Sequence, residues 1–310
     1  MSSEGSDLLR GSKVLVTGGS GFIGSHLVNR LVKERCRQIV VFDKYIPRDE
    51  FQPADGLKTI QGDVTEIERL KEIMPGIDYV FHLAVLPLGA CSESARACLE
   101  ININGTFNVI EAARDASVKK IVFSSASSVY GDTEQTMDEN HPLNARTMYG
   151  ASKIAAEYFL RAFYDMYKLD YLILRYMNVY GPGQEGGLIM NVLKRIKQGS
   201  PPVIFGDGSQ SFDFVYIDDV VNANILAMES NVTDEAFNIG GEEEVTVKQL
   251  VHNLLELTGS DLTPEFRLDE KVLMQRRVGS SQKAKELLGY TPSVALAEGL
   301  KRVIEAEFRI

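Results

Sequence analysis

The segment KVLVTGGSGFIGSHLVNRLVKE, residues 13 to 34, restricts the fold of this chain more than any other stretch. Its run from Val14 to Thr17 reads as a buried strand, and Ile23, Leu27 and Leu31 recur at helical spacing after a cluster of glycines. Gly18, Gly21 and Gly24 are spaced GxxGxxG, and Gly19, Gly21 and Gly24 also satisfy GxGxxG. Glycines here permit a tight turn and let backbone approach a pyrophosphate, which then sits at the positive end of the following helix. Gly18, Gly21, Phe22, Ile23 and Gly24 are therefore expected to line a dinucleotide.

The alternation continues through strands QIVVFD, LKTIQGDV, YVFHLAV, KIVFSSAS and DYLILRYM, with helices near EIERLKEIM, from about Ala97 to Ala116, and from about Tyr149 to Tyr167. Compact apolar strands alternating with helices predict an α/β fold, a doubly wound parallel sheet of the Rossmann type. Residues 1–175 read as the cofactor domain, with 1–11 as a loose tail. Residues 176–310 read as a smaller α/β substrate lobe, with segments near 213–240 returning to the main domain.

Asp43 closes the second strand, where a carboxylate accepts hydrogen bonds from both ribose hydroxyls of an adenosine. An acid there repels a 2′-phosphate, so the expected cofactor is NAD; Lys44 and Arg48 soften that preference. Asp63 and Val64 in GDV are placed near an adenine, and Leu83 and Ala84 of HLAV end a strand at the edge where ligands bind.

Composition narrows the partners. With 33 Lys and Arg against 43 Asp and Glu, the net charge of −10 disfavours nucleic acid. No apolar run is long enough to span a membrane, and the N-terminus lacks an apolar leader core. The histidines His26, His82, His141 and His252 are scattered, so no metal is expected. Three scattered thiols, Cys36, Cys91 and Cys98, offer no pattern for a disulfide set, which fits a reducing cytoplasm.

Tyr149 and Lys153 lie four apart in YGASK, on one helix face. A buried ammonium beside a cationic nicotinamide favours tyrosinate, which makes the phenol a usable general base. The strand before it ends in FSSASSVYG, placing Ser124, Ser125, Ser127 and Ser128 at its carboxyl end, where α/β active sites form.

With these elements in view, the chain closely resembles the NAD-dependent epimerase/dehydratase family of extended short-chain dehydrogenases/reductases, whose members act on sugar nucleotides. The resemblance runs through TGGSGFIGSHL, Asp43, GDV, HLAV, NINGTFNVIEAAR with Asn102, FSSASSVYG, YGASK, LRYMNVYGPGQ, GDGSQSFDFVYIDDV, FNIGG and SQKAKELLGYTP. It implies a Rossmann domain holding NAD, a C-terminal sugar-nucleotide lobe and a homodimer built through a four-helix bundle. It also implies that Tyr149 is the base, that Lys153 binds the nicotinamide ribose, that Asn102, Ser124 and Tyr176 line the cofactor, and that Asn178 contacts substrate.

Three departures from the family pattern bear on activity. The hydroxyl that the family places four residues before the VYG tyrosine is Ala126 here, so either Ser125 or Ser127 stands in for it, or the chain relies on Tyr149 with water, or part of the usual chemistry is lost. The acidic residues of the dehydratases and decarboxylases at the next two positions are Ser127 and Ser128, which weighs against elimination of water. Two arginines associated with the diphosphate are replaced by Gly183 and Phe212, leaving Lys271, Arg276 or Arg277 to meet it. The sequence therefore points to C4 epimerisation of a UDP-hexose or UDP-hexosamine, with Ala126, Tyr149, Asn178, Phe212 and Lys271 facing the sugar nucleotide. A nucleotide-sugar ketoreductase or dehydrogenase is the alternative, and a noncatalytic NAD-dependent sensor ranks below both.

Overall fold

A computed structural model describes residues 8–47, 51, 54–268 and 274–308. Seven parallel strands form the main sheet. In chain order the first six are β1 (Lys13–Thr17), β2 (Gln38–Asp43), β3 (Leu57–Gln61), β4 (Tyr79–His82), β5 (Lys120–Ala126) and β6 (Asp170–Tyr176). Across the sheet the order is Glu235–Ile239, β6, β5, β4, β1, β2, β3, so the direction of winding reverses between β1 and β4. That reversal leaves a crevice at the carboxyl ends of β1 and β4, the place where open α/β sheets bind ligands.

The strands are apolar runs because both faces are covered. Leu27, Val28 and Leu31 of helix α1 (Phe22–Lys33) and Val220 and Ala223 of the helix Ile217–Glu229 pack on one face. Helices α2 (Ile67–Ile73), α3 (Leu88–Glu93), α4 (Ala95–Cys98), α5 (Thr106–Asp115) and α6 (Met148–Tyr167) follow in chain order. Leu70 of α2, Val109 and Ile110 of α5, and Leu160 of α6 cover the other face. Helix α6 starts where the Thr147 hydroxyl accepts the Gly150 N–H at 3.0 Å, and it ends at Lys168 in the left-handed conformation.

The C-terminal half contributes a smaller sheet around strand Ser211–Tyr216. Glu244–Thr246 pairs with it antiparallel, and Asn178–Tyr180 and Arg276–Arg277 pair with it in parallel. Strand Glu235–Ile239 lies in the main sheet beside β6.

Three sequence expectations change. Leu9, placed in a loose tail, is fully buried in the core. The single helix expected from Ala97 to Ala116 is interrupted: the backbone widens into a π-helix over Leu99–Gly105 before α5, a feature that recurs at functional sites. Cys91 and Cys98 are joined in a disulfide, because the corner between α3 and α4 folds the second thiol back onto the first. Only Cys36 is free.

Candidate active site

The glycine turn closes the crevice from the β1 side. Gly18 has φ of +69°, and a Cβ placed on it would lie 2.5 Å from the Ala84 backbone nitrogen. A side chain there would be strained and would also collide with the opposite wall, so the turn is fixed by close approach as much as by conformation. Gly24, in the first turn of α1, leaves no room for a Cβ against Gly18 and Gly19. Phe22 meets His26 edge-on, with ring centroids 5.7 Å apart. The Ser20 hydroxyl is buried without a partner inside this turn, as expected of a donor awaiting an anionic oxygen.

Asp43 is tied to the same turn, one oxygen accepting the Ser20 N–H at 3.0 Å and the other the Tyr45 N–H at 3.2 Å. Lys44 does not lean on Asp43; its ammonium pairs with Asp63 at 3.0 Å. Asp63 also accepts the Thr65 amide and hydroxyl, and the neighbouring Val64 is buried against Gly105. Leu83 is buried and Ala84 half-buried at the end of β4. Beneath them His82 bridges the hydroxyls of Thr17 and Thr106 at 2.6 and 2.9 Å. Burial, aided by the charge of Lys153, pushes His82 down to about 3, so it is a neutral strut.

Tyr149 and Lys153 lie one turn apart on α6, with the ammonium 5.7 Å from the Tyr149 ring centroid. Lys153 donates to the Ser124 carbonyl at 2.6 Å and sits 4.8 Å from the Phe123 ring centroid. Burial lowers Lys153 to about 7 although Glu157 opposes the shift, so the ammonium is only partly charged near neutrality. Burial raises Tyr149 to about 12, opposed by Arg277. The chain by itself thus holds Tyr149 as the neutral phenol, and the cation that works on it is Arg277.

The serines separate by direction. Ser125 donates to Glu157 at 2.6 Å, and Glu157 is clamped by Arg175 through bonds of 3.1 and 2.7 Å, all of it buried. Ser125, expected as a catalytic hydroxyl, has its own proton committed to Glu157 in a buried polar network. Ser124 meets the Tyr176 hydroxyl, which also exchanges hydrogen bonds with Asn224. Ser127 is buried in the turn after β5, and the buried Ser128 hydroxyl has no partner. The Ser128 carbonyl packs on Gly150, next to Tyr149, so this turn and the start of α6 are in contact. Ala126 closes β5 opposite Tyr176 in the sheet register.

On the lobe side, Asn178 donates to the Asp213 carbonyl at 3.0 Å, which pins two strands together. Phe212 packs against Phe214 with ring centroids 6.2 Å apart. Arg276 is committed to Glu244 through two bonds of 2.8 Å. Arg277 is different: its Nε is buried with no partner, and burial lowers it to about 10. Its strand pairs with the one carrying Phe212, so Arg277 brings a guanidinium to the neighbourhood where the usual arginine is missing. Lys271, the other cation considered, lies outside the described residues.

Asn102, expected at the cofactor, grips the chain that follows β4. It accepts the Leu86 N–H at 2.7 Å and donates to the Leu86 carbonyl at 3.0 Å and to Ser152 at 3.2 Å. Sequence reading missed this role because it depends on the π-helix turning Asn102 inward.

A glycine turn with an orphan donor, an acid bonded to that turn, and a Tyr/Lys helix at a winding reversal together fit a dinucleotide-dependent enzyme. The model of the NAD dependent epimerase/dehydratase family matches residues 14–240. The chain belongs to this family. Within it, a UDP-glucose 4-epimerase from Mycolicibacterium smegmatis is 32% identical, with 94% of this chain and 97% of that protein covered. The solved UDP-glucose 4-epimerase of Thermotoga maritima with UDP-glucose superposes with a TM-score of 0.90 at 35% identity, covering 96% of this chain and 98% of the other. UDP-glucuronic acid 4-epimerase of Bacillus cereus, in complex with UDP-glucuronic acid and NAD, gives 0.90 at 29% identity, covering 96% and 99%. As in the family, the cofactor is NAD, and the orphan Ser20 hydroxyl, the Gly18 approach and the bound orientation of Asp43 fit it. Among the described residues no helix is long and apolar enough to cross a membrane, and no cluster of His, Cys, Asp and Glu could hold a metal.

Proposed function

We propose that this chain is a sugar-nucleotide 4-epimerase acting on a UDP-hexose or UDP-hexosamine. The observation that carries the reading is the pairing of Tyr149 and Lys153 next to a turn that bears Ser127 and Ser128 and no acid. A base with no second acid–base pair suits proton removal from a C4 hydroxyl and its return, whereas loss of water across C5 and C6 needs further proton donors. NAD, when bound, supplies the reversible two-electron oxidation at C4.

Tyr149 takes the C4 hydroxyl proton and gives it back after the 4-keto sugar has turned over in the pocket. Arg277 supplies the positive field that lets a phenol held near 12 give up its proton. Ser127 is the proposed hydroxyl donor in place of the absent one at Ala126, since Ser125 is bound to Glu157. Arg277 is the proposed diphosphate contact, its unpartnered Nε being free to donate to an anionic oxygen. The exposed side chains Tyr158, Met166 and Tyr167 on α6, with Phe107 on α5, support a homodimer through these two helices.

Incubation with UDP-glucose, UDP-galactose and their N-acetyl counterparts, followed by NMR at C4, tests the reading. The expected result is interconversion without net NADH, lost by at least about 10³-fold in Tyr149→Phe while NAD binding persists. Stoichiometric NADH would favour the ketoreductase, and no conversion of any of the four by the NAD-loaded protein would refute the proposal.

A further inference from the structure

The wall of the cofactor crevice opposite Gly18 is the segment Leu83–Leu86, and its far end is fixed by one side chain. Asn102 binds both backbone polar groups of Leu86 and reaches Ser152, whose hydroxyl donates to the Tyr149 carbonyl at 2.7 Å. The same Asn102 amide nitrogen lies 3.4 Å from the Cys91 sulfur and 3.5 Å from the Cys98 sulfur. Both cysteines are at most 1% exposed, and the Cys91 sulfur also contacts the Leu86 carbonyl at 3.3 Å. The disulfide, the crevice wall and the first turn of the Tyr149 helix therefore share one buried junction.

We propose that the Cys91–Cys98 pair is a redox-controlled latch on this junction, and that the dithiol state binds NAD more weakly. A dithiol reductant attacks one cysteine sulfur to give a mixed disulfide, and its second thiol then displaces that sulfur. One S–S bond breaks in the protein and one forms in the reductant, while two electrons and two protons pass to Cys91 and Cys98. Two thiols need more room than a bonded pair, and a close-packed interior has none to give. The displacement falls on Asn102 and through it on Leu86. Access comes through α3, a helix of six residues whose first residue, Leu88, is 42% exposed, so reduction requires only local opening.

The test uses purified full-length protein with dithiothreitol as the reductant and NADH fluorescence titration as the readout, with no sugar nucleotide present. Its outcome is thus independent of which sugar is turned over. One thiol should titrate in the unreduced denatured chain and all three after reduction. Reduction should raise the NADH Kd by at least about fivefold, reversibly on reoxidation. Cys36→Ala should respond as the parent does, and Cys91→Ala/Cys98→Ala, which removes both sulfurs and so the crowding, should bind NADH within about twofold of the oxidised parent and ignore the reductant. If the double variant does not fold, faster amide exchange across residues 85–102 of the reduced parent replaces it as the supporting result. Three thiols titrating without reductant, a Kd within twofold in both states, or unchanged exchange would each overturn the proposal.

Discussion

Replacing Glu157 by Gln changes one atom in the most enclosed ion pair among the described residues. Glu157 and Arg175 each have side chains 1% exposed, so neither charge has water to fall back on. The carboxylate accepts three bonds: from Ser125 at 2.6 Å, from Arg175 Nε at 3.1 Å and from Arg175 Nη2 at 2.7 Å. A Gln side chain keeps one accepting oxygen and turns an amino group toward a guanidinium, which cannot accept. The Tyr130 hydroxyl still receives a bond from Arg175 at 2.7 Å, but it carries no compensating charge. Breaking a buried pair in this way costs about 3–5 kcal/mol, since the remaining charge is left uncompensated. Against a typical total stability of about 5–15 kcal/mol this is a large fraction, measurable by urea unfolding at pH 7. Glu157→Gln/Arg175→Met should recover part of the loss, because the second change removes the stranded charge. A loss below about 1 kcal/mol for Glu157→Gln, or a double variant weaker than the single one, would refute the reasoning.

Further outcomes follow from the same geometry. Gly18→Ala forces a side chain into a left-handed conformation and against Ala84, so it should cost about 1–2 kcal/mol from the backbone alone and lower NAD affinity, as read by calorimetry. Arg277→Met should raise KM for the sugar nucleotide by roughly 10–100-fold, the worth of one charged hydrogen bond, and leave NAD affinity unchanged in steady-state and binding assays. Lys153 is lowered by burial to about 7 from 10.5, so the folded state binds fewer protons than the unfolded state between those values. Stability attributable to Lys153 therefore rises with pH across that window and is lost as pH falls to about 7. Urea titrations from pH 7 to 9.5 should show the parent gaining on Lys153→Met as pH increases.

Much of the frame was legible in residue patterns. The glycines at 18, 21 and 24 fixed strand, turn and helix, because only that geometry uses them together, and the spacing of Tyr149 and Lys153 placed both on one helical turn. The alternation of apolar runs and helices then called for a parallel sheet. Side-chain direction was not legible: Ser124 to Ser128 are chemically alike in sequence, and only the sheet and helix α6 decide that Ser125 points at Glu157 while the Ser128 hydroxyl stays unpartnered. Likewise three cations were equivalent on paper; Lys271 lies outside the described residues, Arg276 is paired with Glu244, and Arg277 keeps an unpartnered Nε near Tyr149.

The sequence by itself determined which chemical groups are present: the glycine turn, the acid that closes the next strand, and a tyrosine with its lysine. These are local patterns, set by backbone conformation and by neighbours within a few residues. Only the tertiary structure decided which groups remain free to act. The disulfide between Cys91 and Cys98, the turning of Asn102 onto Leu86 and the fate of each serine hydroxyl depend on contacts between segments far apart in the chain, where burial makes every unpaired polar group costly and so forces a choice of partner.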